Sequence, residues 1–103
     1  MKYLSGYIII IRPLNVFLGG LTILISSLII KYDGSAIFVI LPAFVVMFFT
    51  IGANTLNDYF DYEIDKINRP ERAIISGLVL RSHALILSLF SFIIGVLIAL
   101  GLN

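Results

Sequence analysis

The sequence has 103 residues, of which 60% are hydrophobic and 13% charged, with a formal net charge of +1 and no cysteine. A chain this short cannot hide so much apolar surface in its own interior, and its mean hydropathy of +1.11 points to a bilayer as the solvent. Without cysteine there are no disulfides, thiolate metal sites or thiol nucleophiles, and the small net charge offers no footprint for a polyanionic macromolecule such as nucleic acid.

Taken in order, Lys2 precedes an apolar run that continues to Ile30 without a small-x-small cleavage pattern, so it reads as a retained transmembrane helix rather than a leader. Arg12-Pro13 interrupts that run, and because proline is tolerated in a first helical turn the first spanning helix is expected over about residues 13–31. Gly19-Gly20 is a thin spot that suits close helix packing better than chemistry. Arg12 itself reads as an interfacial, snorkelling arginine more readily than as a phosphate ligand.

Lys31 to Ser35 is a short polar turn, which makes the next apolar segment, from Ala36 to Ala53, an antiparallel neighbour. Pro42 should kink it modestly. The polar stretch that follows keeps the helical register, so a second helix is expected over about residues 36–67, its last three turns beyond the hydrocarbon, until Asn68-Arg69-Pro70 stops it. Residues 69–81 are loop-like, with Ser76-Gly77 a turn rather than a nucleophile. Ser82 is the expected cap of a third helix over about residues 82–102, in which Ser91, Gly95 and Ala99 recur every fourth residue as a small-residue packing face. His83, next to that cap, is expected to face solvent.

The architecture that follows is all-α, a multi-pass transmembrane bundle with three helices in this chain. Lys2, Arg12, Lys66, Arg69, Arg72 and Arg81 flank one side of the membrane and Lys31 the other, so the N-terminus and residues 54–81 are expected in the cytoplasm and the C-terminus outside. The five tyrosines all fall near expected boundaries, as interfacial anchors do.

The stretch that carries chemistry runs from Asn54 to Gly77 and holds five of the six acidic residues. At about 100° per residue, Asn54, Asp58, Asp61 and Asp65 project within about 60° of one another, and Glu63 projects the opposite way. Like charges three and four apart repel, and an aspartate at the bilayer centre costs about 2.5–3.5 kcal/mol, so this face must meet water or a cavity and a compensating cation. Two readings are open on spacing alone. One is a solvated extension balanced by Lys66, Arg69 and Arg72; the other is a carboxylate cluster for Mg²⁺, an ion that commonly bridges one or two carboxylates to substrate phosphates. Nearby guanidinium groups fit the second, since they fork onto phosphate oxygens.

Asn57-Asp58-x-x-Asp61-x-x-x-Asp65, followed by Asn68-Arg69-Pro70-Glu71-Arg72 and Ser76-Gly77, resembles the first Asp-rich motif of the UbiA-type membrane prenyltransferases. Arg12-Pro13 is also similar to that family's opening. Within the family, Asp65-Lys66-Ile67-Asn68-Arg69-Pro70-Glu71-Arg72 is most similar to archaeal members that alkylate geranylgeranylglyceryl phosphate, with chlorophyll-synthase-like members close behind. The resemblance implies Asp58, Asp61 and Asp65 as catalytic ligands of Mg²⁺ on an isoprenyl diphosphate. Asn54, Asn57, Lys66, Arg69 and Arg72 would then support the diphosphate. It further implies a lipid-like acceptor and a fold of about nine membrane helices with a second Asp-rich motif.

This chain departs from that pattern in two ways. It ends after the equivalent of the third helix, without a second motif, and carries Ala73 and Ile75 where many members have prolines. A portion inactive alone, completed by a second chain with the missing helices, is therefore the expectation. The alternative is a non-catalytic small membrane subunit or ion-binding element, or a prenyltransferase with another acceptor such as a chlorophyll or quinone precursor.

Overall fold

A computed structural model describes residues 2–102. Five helical segments occur among them: α1 (Lys2–Ile11), α2 (Pro13–Ile29), α3 (Ile37–Phe60), α4 (Tyr62–Asn68) and α5 (Arg81–Gly101). They form an elongated bundle of 49 × 26 × 24 Å, in which α3 is central, packed most extensively on α5 and then on α2. Two helices, α3 and α5, are long and apolar enough to cross a membrane, and α1 with α2 makes a third if that pair is one span bent by 41°. The bundle is all-α and multi-pass, as its hydropathy required.

The first span differs from the expectation, since residues 2–11 are also helical. Proline cannot donate to the helical ladder and disfavours a right-handed helical conformation in the residue before it, so one continuous helix cannot pass through Arg12-Pro13. Arg12 instead takes a left-handed conformation, φ 58° and ψ 71°, and α2 restarts with Pro13 in its first turn. At its other end α2 closes in a Schellman turn: Lys31 (φ 55°) donates its N–H to the Leu28 carbonyl, and the Tyr32 N–H reaches the Ser27 carbonyl.

The second expected helix is interrupted at Asp61, where φ −84° and ψ 11° separate α3 from α4. Its direction is largely kept, because the Asp61 N–H still reaches the Asn57 carbonyl at 2.9 Å and the Asp65 N–H reaches the Asp61 carbonyl at 2.7 Å. Ser82 is not the cap of α5. Leu80 precedes the helix in extended conformation with no side-chain cap, and Arg81, anchored to the end of α3, begins it.

Small residues set the helix spacing. Gly20 is buried against Met47 and Gly19 faces Val46, so the glycine pair brings α2 onto α3 and leaves an apolar groove of about 220 Å³ lined in part by Phe17, Leu21 and Phe44. Between α3 and α5 the fit is reciprocal: Phe92 lies over Gly52, Phe49 lies over Gly95, and the two rings are 5.9 Å apart. Ser91 and Gly95 are buried there as expected, Ala99 is half-buried, and the stripe extends back through Ser88 to Ala84.

The loop from residue 69 to 80 is better packed than its composition implied. Ala73, Ile74 and Val79 form a buried cluster with Ile10 of α1 and Ala84 of α5, so the loop lies folded against the N-terminal helix. Gly6 gives the room for this, since a side chain there would collide with Leu78.

A β-carbon on Gly95 would already stand 3.1 Å from the Phe49 ring. Gly95→Leu is therefore expected to lower the thermal midpoint of the detergent-solubilised protein, with overpacking costing about 1–3 kcal/mol. An unchanged midpoint would mean that the two helices are not held in this contact.

Candidate functional site

At one end of the bundle the apolar face of α3 gives way to Asn54, Thr55 and Asp58. Thr55 is fully buried and returns its hydroxyl to the Ile51 carbonyl, so it adds no free polar group. Asp58 is only 3% exposed and needs a cationic partner. Arg12 supplies it, with Nη2 2.6 Å from Asp58 Oδ1. One helical turn earlier, Asn54 Nδ2 donates to the Ile11 carbonyl at 3.0 Å, a group left over at the C-terminal end of α1. Two residues at helical spacing on α3 thus hold the break between α1 and α2, one through its backbone and one through its side chain.

Arg12 was expected to snorkel to the interface; its guanidinium instead points onto the acidic face. The signal in the sequence was its place beside Pro13, where a helix must break and its end groups need partners.

The other acids stand around this pair. Asp65 is 6% exposed and Asp61 half-buried, and among the described residues neither has an ion-pair partner. The charges acting on the Asp58 carboxylate are Arg12 and Arg72, which favour it, and Asp65 and Asp61, which oppose it. Arg72 reaches the site from the loop, and its Nε is buried without a hydrogen-bond partner, as is Arg12 Nε. The arrangement therefore contains carboxylates without cations and guanidinium donors without acceptors.

The remaining expected site residues are less central. Lys66 pairs with Glu63 at 3.5 Å and stacks over the Tyr62 ring, so its ammonium is engaged away from Asp58. Asn57 and Arg69 are exposed. His83 is exposed as expected, with Nδ1 3.3 Å from the Tyr7 hydroxyl.

Among the described residues, no three acidic or histidine side chains converge tightly enough to cage a metal ion by themselves. Mg²⁺ needs no such cage, since it keeps several waters and is bound through one or two carboxylates together with substrate phosphates. All-oxygen donors on Asp58, Asp61 and Asp65, beside unfilled donors on Arg12 and Arg72, fit that mode of binding.

The role of Arg81 was not legible as more than a positive flank. Its Nε and Nη2 donate to the Tyr59 carbonyl at 3.3 and 3.1 Å. Its guanidinium also lies over the rings of Tyr59 and Tyr62, 4.5 and 4.7 Å from their centres. These two tyrosines bracket the break at Asp61, so Arg81 ties α5 to the joint between Asp58 on α3 and Asp65 on α4. They were expected as membrane anchors, and here they also grip a cation.

Residues 16–103 of this membrane helix bundle match the UbiA prenyltransferase family, and the chain belongs to that family. Among its relatives is the digeranylgeranylglyceryl phosphate synthase of Pyrococcus furiosus, 43% identical over 101 residues, which cover 96% of this chain and 36% of that protein. The synthase of Thermococcus gammatolerans is 43% identical over 98 residues, 94% of this chain and 36% of the relative. That of Methanothermobacter thermautotrophicus is 44% identical over 90 residues, 86% of this chain and 31% of the relative. The chain thus spans about a third of the length of these curated relatives. No solved structure matches it.

Arg81→Ala removes both donors to the Tyr59 carbonyl and a guanidinium from two rings. The expected loss is about 1–2 kcal/mol, concentrated at the α3–α4 joint. It should appear as faster amide hydrogen exchange over residues 59–68 than in the unmodified protein, with α2 unaffected. Equal exchange in the two proteins would remove Arg81 from this role.

Proposed function

We propose that this chain forms the donor-diphosphate side of a Mg²⁺-dependent membrane prenyltransferase that transfers a geranylgeranyl group from geranylgeranyl diphosphate to the free hydroxyl of geranylgeranylglyceryl phosphate. The observation that carries this reading is the acidic stretch from the end of α3 into α4, where among the described residues Asp61 and Asp65 have no ion-pair partner and Arg72 holds an unfilled N–H donor. The names of the archaeal relatives support the donor and acceptor.

In this reading Asp58, Asp61 and Asp65 would hold Mg²⁺, and Arg12 and Arg72 would donate to phosphate oxygens, with Arg69 and the amides of Asn54 and Asn57 near the same end. When bound, Mg²⁺ supplies Lewis-acid neutralisation of the departing diphosphate. The guanidinium groups add fixed positive charge where negative charge grows as the allylic C–O bond breaks, a form of electrostatic stabilisation that works best away from water. The acceptor hydroxyl forms the new C–O bond to the allylic carbon, and its proton leaves to a base or solvent. Two isoprenoid substrates suit a reaction carried out inside a bilayer.

The reading also sets orientation. Arg12, Arg72 and Arg81 gather at the acidic end while Lys31 lies at the far end of α2, so the positive-inside rule assigns the acidic end to the cytoplasm, where the soluble diphosphate product is released.

The test is formation of digeranylgeranylglyceryl phosphate by membranes in which this chain is co-expressed with a chain carrying the missing helices and second Asp-rich motif, supplied with geranylgeranyl diphosphate, geranylgeranylglyceryl phosphate and Mg²⁺, with EDTA as control. Asp61→Asn removes one ligand charge at nearly constant volume and is expected to lower turnover by about 100-fold or more while leaving membrane insertion intact. Near-normal turnover of that variant at limiting Mg²⁺ would sink the assignment of the acidic face.

A further inference from the structure

Arg12 combines three features that a merely interfacial arginine does not need. Its backbone is left-handed, φ 58°, a conformation that is unfavourable for a residue with a side chain. Its Nη2 sits 2.6 Å from the buried Asp58 carboxylate, and its Nε is buried with no acceptor. The main chain beside it is held by Asn54 from the same face of α3. The result is a cation on a fixed stalk, seated on one acid of a cluster whose other two acids have no ion-pair partner among the described residues.

We infer that Arg12 is a positioning residue that takes the place of the metal on Asp58 while the site is empty, and that it exchanges Asp58 for a phosphate oxygen when a Mg²⁺–diphosphate binds. This rests on the proposed function and adds to it a built-in competitor. A carboxylate that is buried, and opposed by Asp61 and Asp65, stays ionised only with positive charge beside it. Among the described residues, Arg12 is the cation in contact with Asp58. When a divalent ion and a diphosphate arrive together, the ion takes over Asp58, and the forked guanidinium finds phosphate oxygens within reach of a small side-chain movement. The exchange keeps a cation beside Asp58 in both states. It also makes metal binding depend on the diphosphate, because metal alone must displace Arg12 without giving it a new acceptor.

The sign of this coupling distinguishes it from a structural ion pair. Loss of one charge-assisted hydrogen bond reads as roughly tenfold in an equilibrium constant. Removing the guanidinium should therefore tighten binding of a divalent ion alone by about tenfold and weaken binding of diphosphate in the presence of that ion by a similar factor. Arg12→Gly is the suitable variant, since glycine takes the left-handed conformation without strain and removes only the side chain. Arg12→Lys keeps a charge near Asp58 without the fork and should restore metal-alone binding to nearly that of the unmodified protein, while recovering diphosphate binding only in part.

The experiment is a titration of the bilayer-reconstituted protein with Mn²⁺, followed by electron paramagnetic resonance, without and with inorganic diphosphate. It is made on the unmodified protein, Arg12→Gly, Arg12→Lys and Asp58→Asn. Opposite shifts in the two titrations of Arg12→Gly, reversed in the first by Arg12→Lys, are the expected result. If Arg12→Gly binds Mn²⁺ alone no more tightly than the unmodified protein, while Asp58→Asn weakens it, the exchange is wrong and the metal site stands. If the unmodified protein binds no Mn²⁺ with diphosphate, or Asp58→Asn leaves binding undiminished, the proposed function itself fails. Should Arg12→Gly lose the helical circular dichroism that Arg12→Lys retains, the pair is structural and the exchange is likewise overturned.

Discussion

An apolar helix that ends in acid must find positive charge before it leaves the hydrocarbon, and in this protein that demand is met by Arg12 on Asp58. The pair links the break between α1 and α2 to the polar end of α3. Around it the rest of the acidic end takes shape, with Asn54 holding the chain beside the break and Arg72 approaching from the loop. Taking only the guanidinium away would leave Asp58 without its cation beside two further acids, a charge that a proton or a bound divalent ion would then have to offset.

The remaining packing places that end of α3 and keeps it rigid. Reciprocal insertion of Phe92 over Gly52 and Phe49 over Gly95 fixes the register of α5 on α3, and the glycine pair of α2 does the same from the other side. Arg81 then joins the first turn of α5 to the α3–α4 joint through a carbonyl and two aromatic rings. Because Asp58 and Asp65 lie on opposite sides of that joint, the spacing of the carboxylates depends on α5, a helix that contributes no acid of its own. Catalysis by positioning is sensitive to about 1 Å, so such distant packing bears directly on the chemistry proposed.

The loop between α4 and α5 serves the same end. Ala73, Ile74 and Val79 bury themselves with Ile10 and Ala84, which carries Arg72 over the acidic face instead of leaving it in solvent. Two of the arginine-bearing segments, the break at Arg12 and the loop at Arg72, are thereby held by apolar contacts as well as by charge.

Much of this was legible in the sequence. Hydropathy alone required a membrane bundle, Arg12-Pro13 and Arg69-Pro70 located two of the breaks though nothing marked the one at Asp61, and the four-residue spacing of Ser91 and Gly95 marked a packing face. Those are local properties, set by the period of the helix and by the backbone limits of individual residues. Partners were another matter. That Arg12 turns inward to Asp58, that Lys66 turns outward to Glu63, that Arg81 grips Tyr59 and Tyr62, and that residues 73–79 are buried against α1 all follow from contacts between residues distant in sequence, or from which face a neighbouring element covers. A charged side chain several bonds long can reach in several directions, and only the packed neighbours decide which of them holds a counter-charge.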